Sequence, residues 1–211
     1  MNQLLLLYFL LSGALFLSIR FKHKIETTIP TWICITIIVL YIFGLFGGLK
    51  IGVYAVVGMS VLGFGYAVYS FFRDKKESLS TIFTPGMAVY FILFLLSWWG
   101  SNGRILTRWD EFSHWGLTVK NMYLLNAFSN HPASTVIFQD YPPATALFQY
   151  LFTQMLGAFT EPYLYQAMNM LYFSVAIFLF KDLKWKEWGQ IMMRFIFVLV
   201  LPIVFYDDFY Y

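Results

Sequence analysis

"NQLLLLYFLLSGALFLSIRFKHKIE", residues 2–26, decides the class of the fold. Residues 2–19 carry no charge and are almost wholly apolar, and Arg20, Lys22 and Lys24 then follow in quick succession. A helix needs about 20 mostly apolar residues to cross the hydrocarbon core of a bilayer. This stretch therefore reads as a spanning helix with a basic anchor at one membrane surface. It does not read as a cleaved leader, because the basic residues follow the apolar run and no small-x-small cleavage site is evident. The expectation is a retained anchor with its N-terminus outside.

The same alternation of apolar run and polar break recurs along the chain. Further spans are predicted at roughly 29–49, 51–72, 82–100, 162–180 and 191–206, giving about six. Only 12% of the residues are charged and 60% are hydrophobic, whereas soluble domains carry roughly a quarter charged residues. The expected fold is therefore all-α, a polytopic transmembrane helical bundle with its lipid bilayer as solvent. "RFKHKIE" (20–26), "RDKKE" (73–77) and "KDLKWKE" (181–187) are basic clusters of the kind retained in the cytoplasm. On that path ten of the fourteen Lys and Arg lie inside, counting Arg194, which can snorkel from its helix end. Lys50, Arg104, Arg108 and Lys120 lie outside, together with the N-terminus and the loop 101–161. The formal charge of +3 gives no ground for a nucleic-acid partner, and the single cysteine, Cys34, excludes an intrachain disulfide.

The predicted external loop holds the polar chemistry. In "RWDEFSHWG" (108–116) an arginine, two adjacent carboxylates and a histidine stand between two tryptophans. Phe112, Trp115, Val119, Met122 and Tyr123 recur at helical spacing as an apolar stripe. Asp110, His114 and Asn121, with Thr118 beside them, fall on the opposite face. The expectation is an amphipathic helix in the headgroup plane, with Asp110 and His114 close enough to hydrogen-bond. Acids in a first helical turn also stabilise a helix by capping and through its dipole, so a purely structural role for Asp110 and Glu111 stands beside a catalytic one. The two prolines of "QDYPPATALFQY" (139–150) form either a simple helix start or a rigid wall that positions Asp140 and Tyr141 beside Asp110. Residues 143–157 are too short to span and are expected to lie along the outer surface or dip into it. "YDDFYY" (206–211) places Asp207 and Asp208 as a possible second acidic loop on the same side. Gly44 and Gly48 are spaced for close helix packing. His131 reads as an ordinary loop histidine. A divalent metal would need further ligands such as His131 or Asp140 at no recognised spacing, so no cofactor is expected.

"WDEFSHWG" followed by "YPPATALFQY", after an apolar helix, resembles the C-type membrane glycosyltransferases, and most of all their uncharacterised bacterial branch. The likeness covers about 82–211, with 1–81 as an N-terminal three-helix extension. It implies a polyprenyl-phosphate-linked sugar as donor, a glycan, lipid or protein of the cell envelope as acceptor, and transfer at the outer membrane face. It further implies Asp110 as the base that takes the acceptor proton and Glu111 as its support. Arg104, Arg108 or Lys120 would hold the phosphate by charge and side, and His114, Asp140 and Tyr141 complete the substrate-binding set. The family core has more spans than this chain supplies after residue 81, so the sequence reads as an N-terminal fragment. The alternative is a non-catalytic membrane protein, an assembly partner or truncated remnant. A carrier of lipid-linked glycans is disfavoured, because the spans lack both internal symmetry and intramembrane charge.

Overall fold

The computed structural model describes residues 2–204, and every regular element among them is helical. Three long helices come first: α1 (Asn2–Phe21), α2 (Ile25–Leu45) and α3 (Leu49–Arg73). A short α4 (Lys75–Ile82) leads into α5 (Pro85–Ser101). A π-helical turn, Glu111–Trp115, runs into α6 (Gly116–Leu125) and is followed by α7 (Ala144–Leu156). α8 (Glu161–Ala176) continues through a 3-10 turn, Ile177–Phe180, and α9 is Trp188–Val204.

Four helical segments are long and apolar enough to cross a bilayer: Gln3–Phe21, Ile25–Leu45, Leu49–Arg73 and Glu161–Phe180. α4 and α5 supply a fifth when taken as one span bent by 54°. The bend follows from Pro85, which pushes the preceding Thr84 into an extended conformation while Thr84 Oγ1 caps the new helix by accepting from Met87 N. Of the about six spans expected, four or five meet that length and composition among the described residues. α9 is apolar but covers 17 residues.

Hydrogen bonds sort the connections to two ends of the bundle. Glu26 Oε1 accepts from Gly86 N at 3.2 Å, joining the start of α2 to the start of α5. Trp185 Nε1 donates to Phe83 O at 3.3 Å, and Lys22 Nζ pairs with Glu77 at 2.8 Å. All three basic clusters therefore share one end. At the other end Gln3 and Gln166 exchange reciprocal amide hydrogen bonds of 3.1 and 2.8 Å. Asn169 Nδ2 donates to Ser101 Oγ at 3.5 Å, so α8 begins where α5 ends and the segment 102–160 leaves and returns at that same end.

The segment 143–157, expected to lie along the outer surface or to dip into it, is the best-covered helix among the described residues. Leu147, Phe148, Tyr150, Leu151 and Phe152 of α7 are all buried, packed among α1, α2, α6 and α8. Its 13 residues extend about 20 Å, too short to cross. α7 is instead an internal plug, with Gln149 donating to Leu164 O and Gln154 to Asn126 Oδ1.

Close approach is set by particular glycines. The Trp32 indole lies where a Cβ on Gly13 would sit, 2.2 Å from its nearest atom, and Trp32 Nε1 donates to Phe9 O at 3.1 Å. Gly44 makes room for the ring of Phe128, which stacks on Tyr41. No neighbour crowds Gly48, so Gly44 and Gly48 do not form the helix-packing pair expected of them. Gly13→Ala is expected to cost about 1–3 kcal/mol by overpacking a buried indole. Gly58→Ala, with open space around its Cβ, should be neutral or stabilising because alanine is the better helix former. Unfolding of the two variants in detergent, followed by circular dichroism, checks the contrast.

Candidate functional site

The segment after α5 is held by carboxylates. Leu106 N donates to Glu161 Oε2 at 2.6 Å, while Thr107 N and Arg108 N both donate to Glu111 Oε2 at 3.0 Å. Tyr165 Oη donates to Ile105 O at 3.1 Å, and the Arg104 guanidinium lies 4.3 Å from the Tyr165 ring centre. Two acids and a tyrosine, two of the three on α8, thus hold residues 104–108 in place. Backbone groups without a regular partner must find one when buried, and here they find anions, which make stronger bonds than neutral acceptors.

This arrangement separates two carboxylates that are adjacent in sequence. Glu111 is buried and committed to the backbone. Asp110 precedes the π-helical turn, is exposed and makes no side-chain cap bond. The structural role foreseen for the pair therefore falls to Glu111, which anchors the residues before it. The turn ends against Leu106, where only a glycine fits: a Cβ on Gly116 would lie 2.2 Å from Leu106 Cδ1 and 2.8 Å from Glu111 O.

A π-helical turn holds more residues than an α-helical one, and the face pattern expected for 110–123 is only partly kept across it. Phe112 is 46% exposed, whereas His114, Thr118 and Asn121 are buried with Val119 and Met122. The polar residues thus face protein rather than water. Asn121 Nδ2 donates to Thr135 Oγ1 at 3.1 Å, and its Oδ1 accepts from Thr135 N at 3.2 Å, which ties the following loop to α6. The expected hydrogen bond between Asp110 and His114 is absent; neither His114 nitrogen has a partner among the described residues. His114 is surrounded by rings, with centroids at 4.7 Å to Trp115, 5.5 Å to Phe138 and 4.7 Å to Tyr141.

Tyr141 also stacks on Trp115 and Phe138, so the Tyr-Pro-Pro segment meets the π-helical turn directly. Asp140 opens instead on a cavity of about 580 Å³ shared with Pro142, Tyr41 and Phe128, against the end of α2. Lys120 is exposed on α6, and His131 Nδ1 accepts from Ala133 N within its own loop. Asp207 and Asp208 lie outside the described residues. A larger groove of about 670 Å³ lies at the same end, between α1, α5 and α8. Leu7, Phe94 and Trp98 line its apolar part, and Gln3, Asn102 and Gln166 its polar part. Among the described residues no three His, Cys, Asp or Glu side chains converge to hold a metal ion. The anchoring residues Glu161, Tyr165 and Gln166 carry no sequence signal beyond an acid ahead of a helix-starting proline. Compared with known protein families, with characterised proteins and with solved structures, the chain matches none.

Burial pushes the His114 imidazole below its ordinary range, and the charge of Asp110 offsets part of that shift. The folded state therefore resists protonation that the unfolded chain accepts below about pH 6.5. The resulting stability is fully present above that value and is lost as pH falls through the folded pKa. The midpoint of thermal unfolding should drop over this acid window, and His114→Phe, which keeps a ring among the aromatics, should flatten the drop. Glu161→Ala is expected to cost about 1–3 kcal/mol by stranding the Leu106 N–H, checked by the same unfolding measurement.

Proposed function

We propose that the protein is a membrane glycosyltransferase of the C-type class, or the N-terminal part of one. It moves a sugar from a polyprenyl-phosphate donor to a glycan, lipid or protein of the cell envelope. Six crossings, with α4–α5 as one and α9 as the sixth, leave the basic loops in the cytoplasm. The N-terminus and the loop 101–161 then face outward.

The observation that carries this reading is the division between the two adjacent acids. Glu111 is buried on backbone N–H groups, and by doing so it fixes the neighbouring Asp110 while leaving that carboxylate exposed. Asp110 takes the proton of the acceptor hydroxyl. The acceptor oxygen forms its bond to the anomeric carbon, and the bond from that carbon to the phosphate oxygen breaks, with the electron pair leaving on the phosphate. A base must reach the hydroxyl directly or through one water, and exposure at the start of a fixed turn meets that need. Arg104, Arg108 and Lys120 are cations on the same segment, suited to a departing phosphate. The apolar walls of the groove between α1, α5 and α8 suit an isoprenoid chain, and its polar part lies at the end of α5 from which the Asp110 segment departs. Glu111 and His114 act as positioning residues, one through the backbone and one through the aromatic cluster.

The test is transfer of a labelled sugar from a polyprenyl-phosphate donor in vesicles. Asp110→Asn should lower the rate by about 100-fold or more, the usual contribution of a general base, with unchanged protein in the membrane. Glu111→Gln keeps an acceptor oxygen for Thr107 and Arg108 and should retain most of the rate. An unchanged rate in Asp110→Asn removes the base, and the non-catalytic reading then replaces this one.

A further inference from the structure

The basic clusters that mark the opposite end of the bundle also build a cavity. The last turn of α1, the last turns of α3 and the whole of α4 enclose about 320 Å³ there. Arg20, Lys22 and Arg73 supply its cations, and Tyr66, Tyr69 and Ser70 supply hydroxyls. Asp74 and Glu77 also line it, but each is engaged: Asp74 Oδ1 accepts from Glu77 N at 3.3 Å as the cap of α4, and Glu77 pairs with Lys22. Arg20 and Arg73 both close the last turn of their helices. Their charges therefore suit the helix ends, and their side chains are exposed at the cavity.

We infer that this cavity is a binding site for the phosphate headgroup of an anionic glycerophospholipid. Three features select that chemistry. Arginine presents several N–H donors in a planar fork that matches phosphate oxygens, and two arginines from separate helices converge here. Tyrosine and serine hydroxyls donate to the remaining oxygens. Moreover, the cavity sits at the membrane-surface end of α1 and α3, where basic pockets between spanning helices take acidic lipid headgroups. Ile19 lines the cavity, and Phe72, next in sequence to the lining Arg73, is 81% exposed. An acyl chain can thus continue from the headgroup down the helices, which a free phosphate cannot exploit. Tyr66 is held for this role by its edge contact with Phe16, 5.2 Å between ring centres. The site is independent of the carboxylates at the other end of the bundle.

The test uses the full chain in a neutral detergent, with thermal unfolding as readout. Phosphatidylglycerol should raise the unfolding midpoint, phosphatidylcholine should not, and the rise should shrink with added salt, since charge attraction carries it. Arg20→Gln with Arg73→Gln should unfold slightly below the parent without lipid, having lost two favourable helix-end charges, and should lose affinity for phosphatidylglycerol by about tenfold per charge-assisted contact removed. Lys50→Gln, at the far end of the same helices, should leave the rise intact. Equal responses to the two lipids, or a double variant that keeps the rise, would overturn the site. A rise produced equally by inorganic phosphate would overturn the lipid assignment. If the double variant fails to fold, a rise in the parent that is indifferent to salt also overturns it.

Discussion

Three consecutive backbone N–H groups, those of Leu106, Thr107 and Arg108, and the two carboxylates that accept them determine the rest of the polar end. Without Glu161 and Glu111 this segment has no regular structure to satisfy it, and it sits against helices that belong in a bilayer. Once the contacts form, the position of Asp110 is set by its neighbour, the π-helical turn ends with Gly116 against Leu106, and the aromatic cluster closes over His114. The order of dependence thus runs from α8, which carries Glu161 and Tyr165, to the turn, and only then to the exposed acid.

A similar device operates at the other end. Glu26 is fully buried and takes the Gly86 N–H at the start of α5. The first N–H groups of a helix have no partner within it, and a carboxylate there is favoured by the helix dipole. Gly86 is small for a reason, because a Cβ at that position would fall 2.2 Å from Glu26 Cγ. The three N-terminal helices are therefore joined to the rest through side-chain contacts at both ends, Glu26 with Gly86 at one and Gln3 with Gln166 at the other, and through the buried plug α7.

The spans were legible because the signal is local: apolar length and flanking charge suffice to place α1, α3 and α8 to within a few residues. The start of α2 was set four residues too late, since Glu26 looks like a loop residue until Gly86, 60 positions away, gives its carboxylate a partner. For α7 the sequence left open whether it lies along the surface or dips into it. Its 13-residue length argued against crossing, and nothing local shows that four other helices surround it. Asp110 and Glu111 stood out as a pair, but sequence alone could not say which acid is buried. That choice depends on the path of residues 106–108 and on Glu161, 55 residues from its partner Leu106. His114, Thr118 and Asn121 are buried together as the periodicity grouped them, but their face meets protein, because the loop carrying Thr135, Phe138 and Tyr141 folds over it.

What remains accessible for chemistry follows from accounting for the acids. The chain has eleven Asp and Glu residues, of which Asp207 and Asp208 lie outside the described part. Glu26, Asp74, Glu111, Glu161 and Glu187 each accept from a backbone N–H, and Glu77 pairs with Lys22. Asp110, Asp140 and Asp182 are left, and Asp182 belongs to the basic loop. Among the described residues the interiors of the long apolar helices carry hydroxyls and amides but little charge: Glu26 at the start of α2 and Arg194 within α9, which donates to Leu179 O. A charge carried across the bundle would have no continuous ionisable relay there. Among the described residues, the acids at this end without a backbone or ion-pair partner are Asp110 and Asp140. Asp140 faces a cavity against α2, whereas Asp110 stands at the start of a turn that buried acids and stacked rings hold still. A base is effective when its surroundings are fixed before the substrate arrives, and of the two only Asp110 directly adjoins the buried acid that fixes its segment.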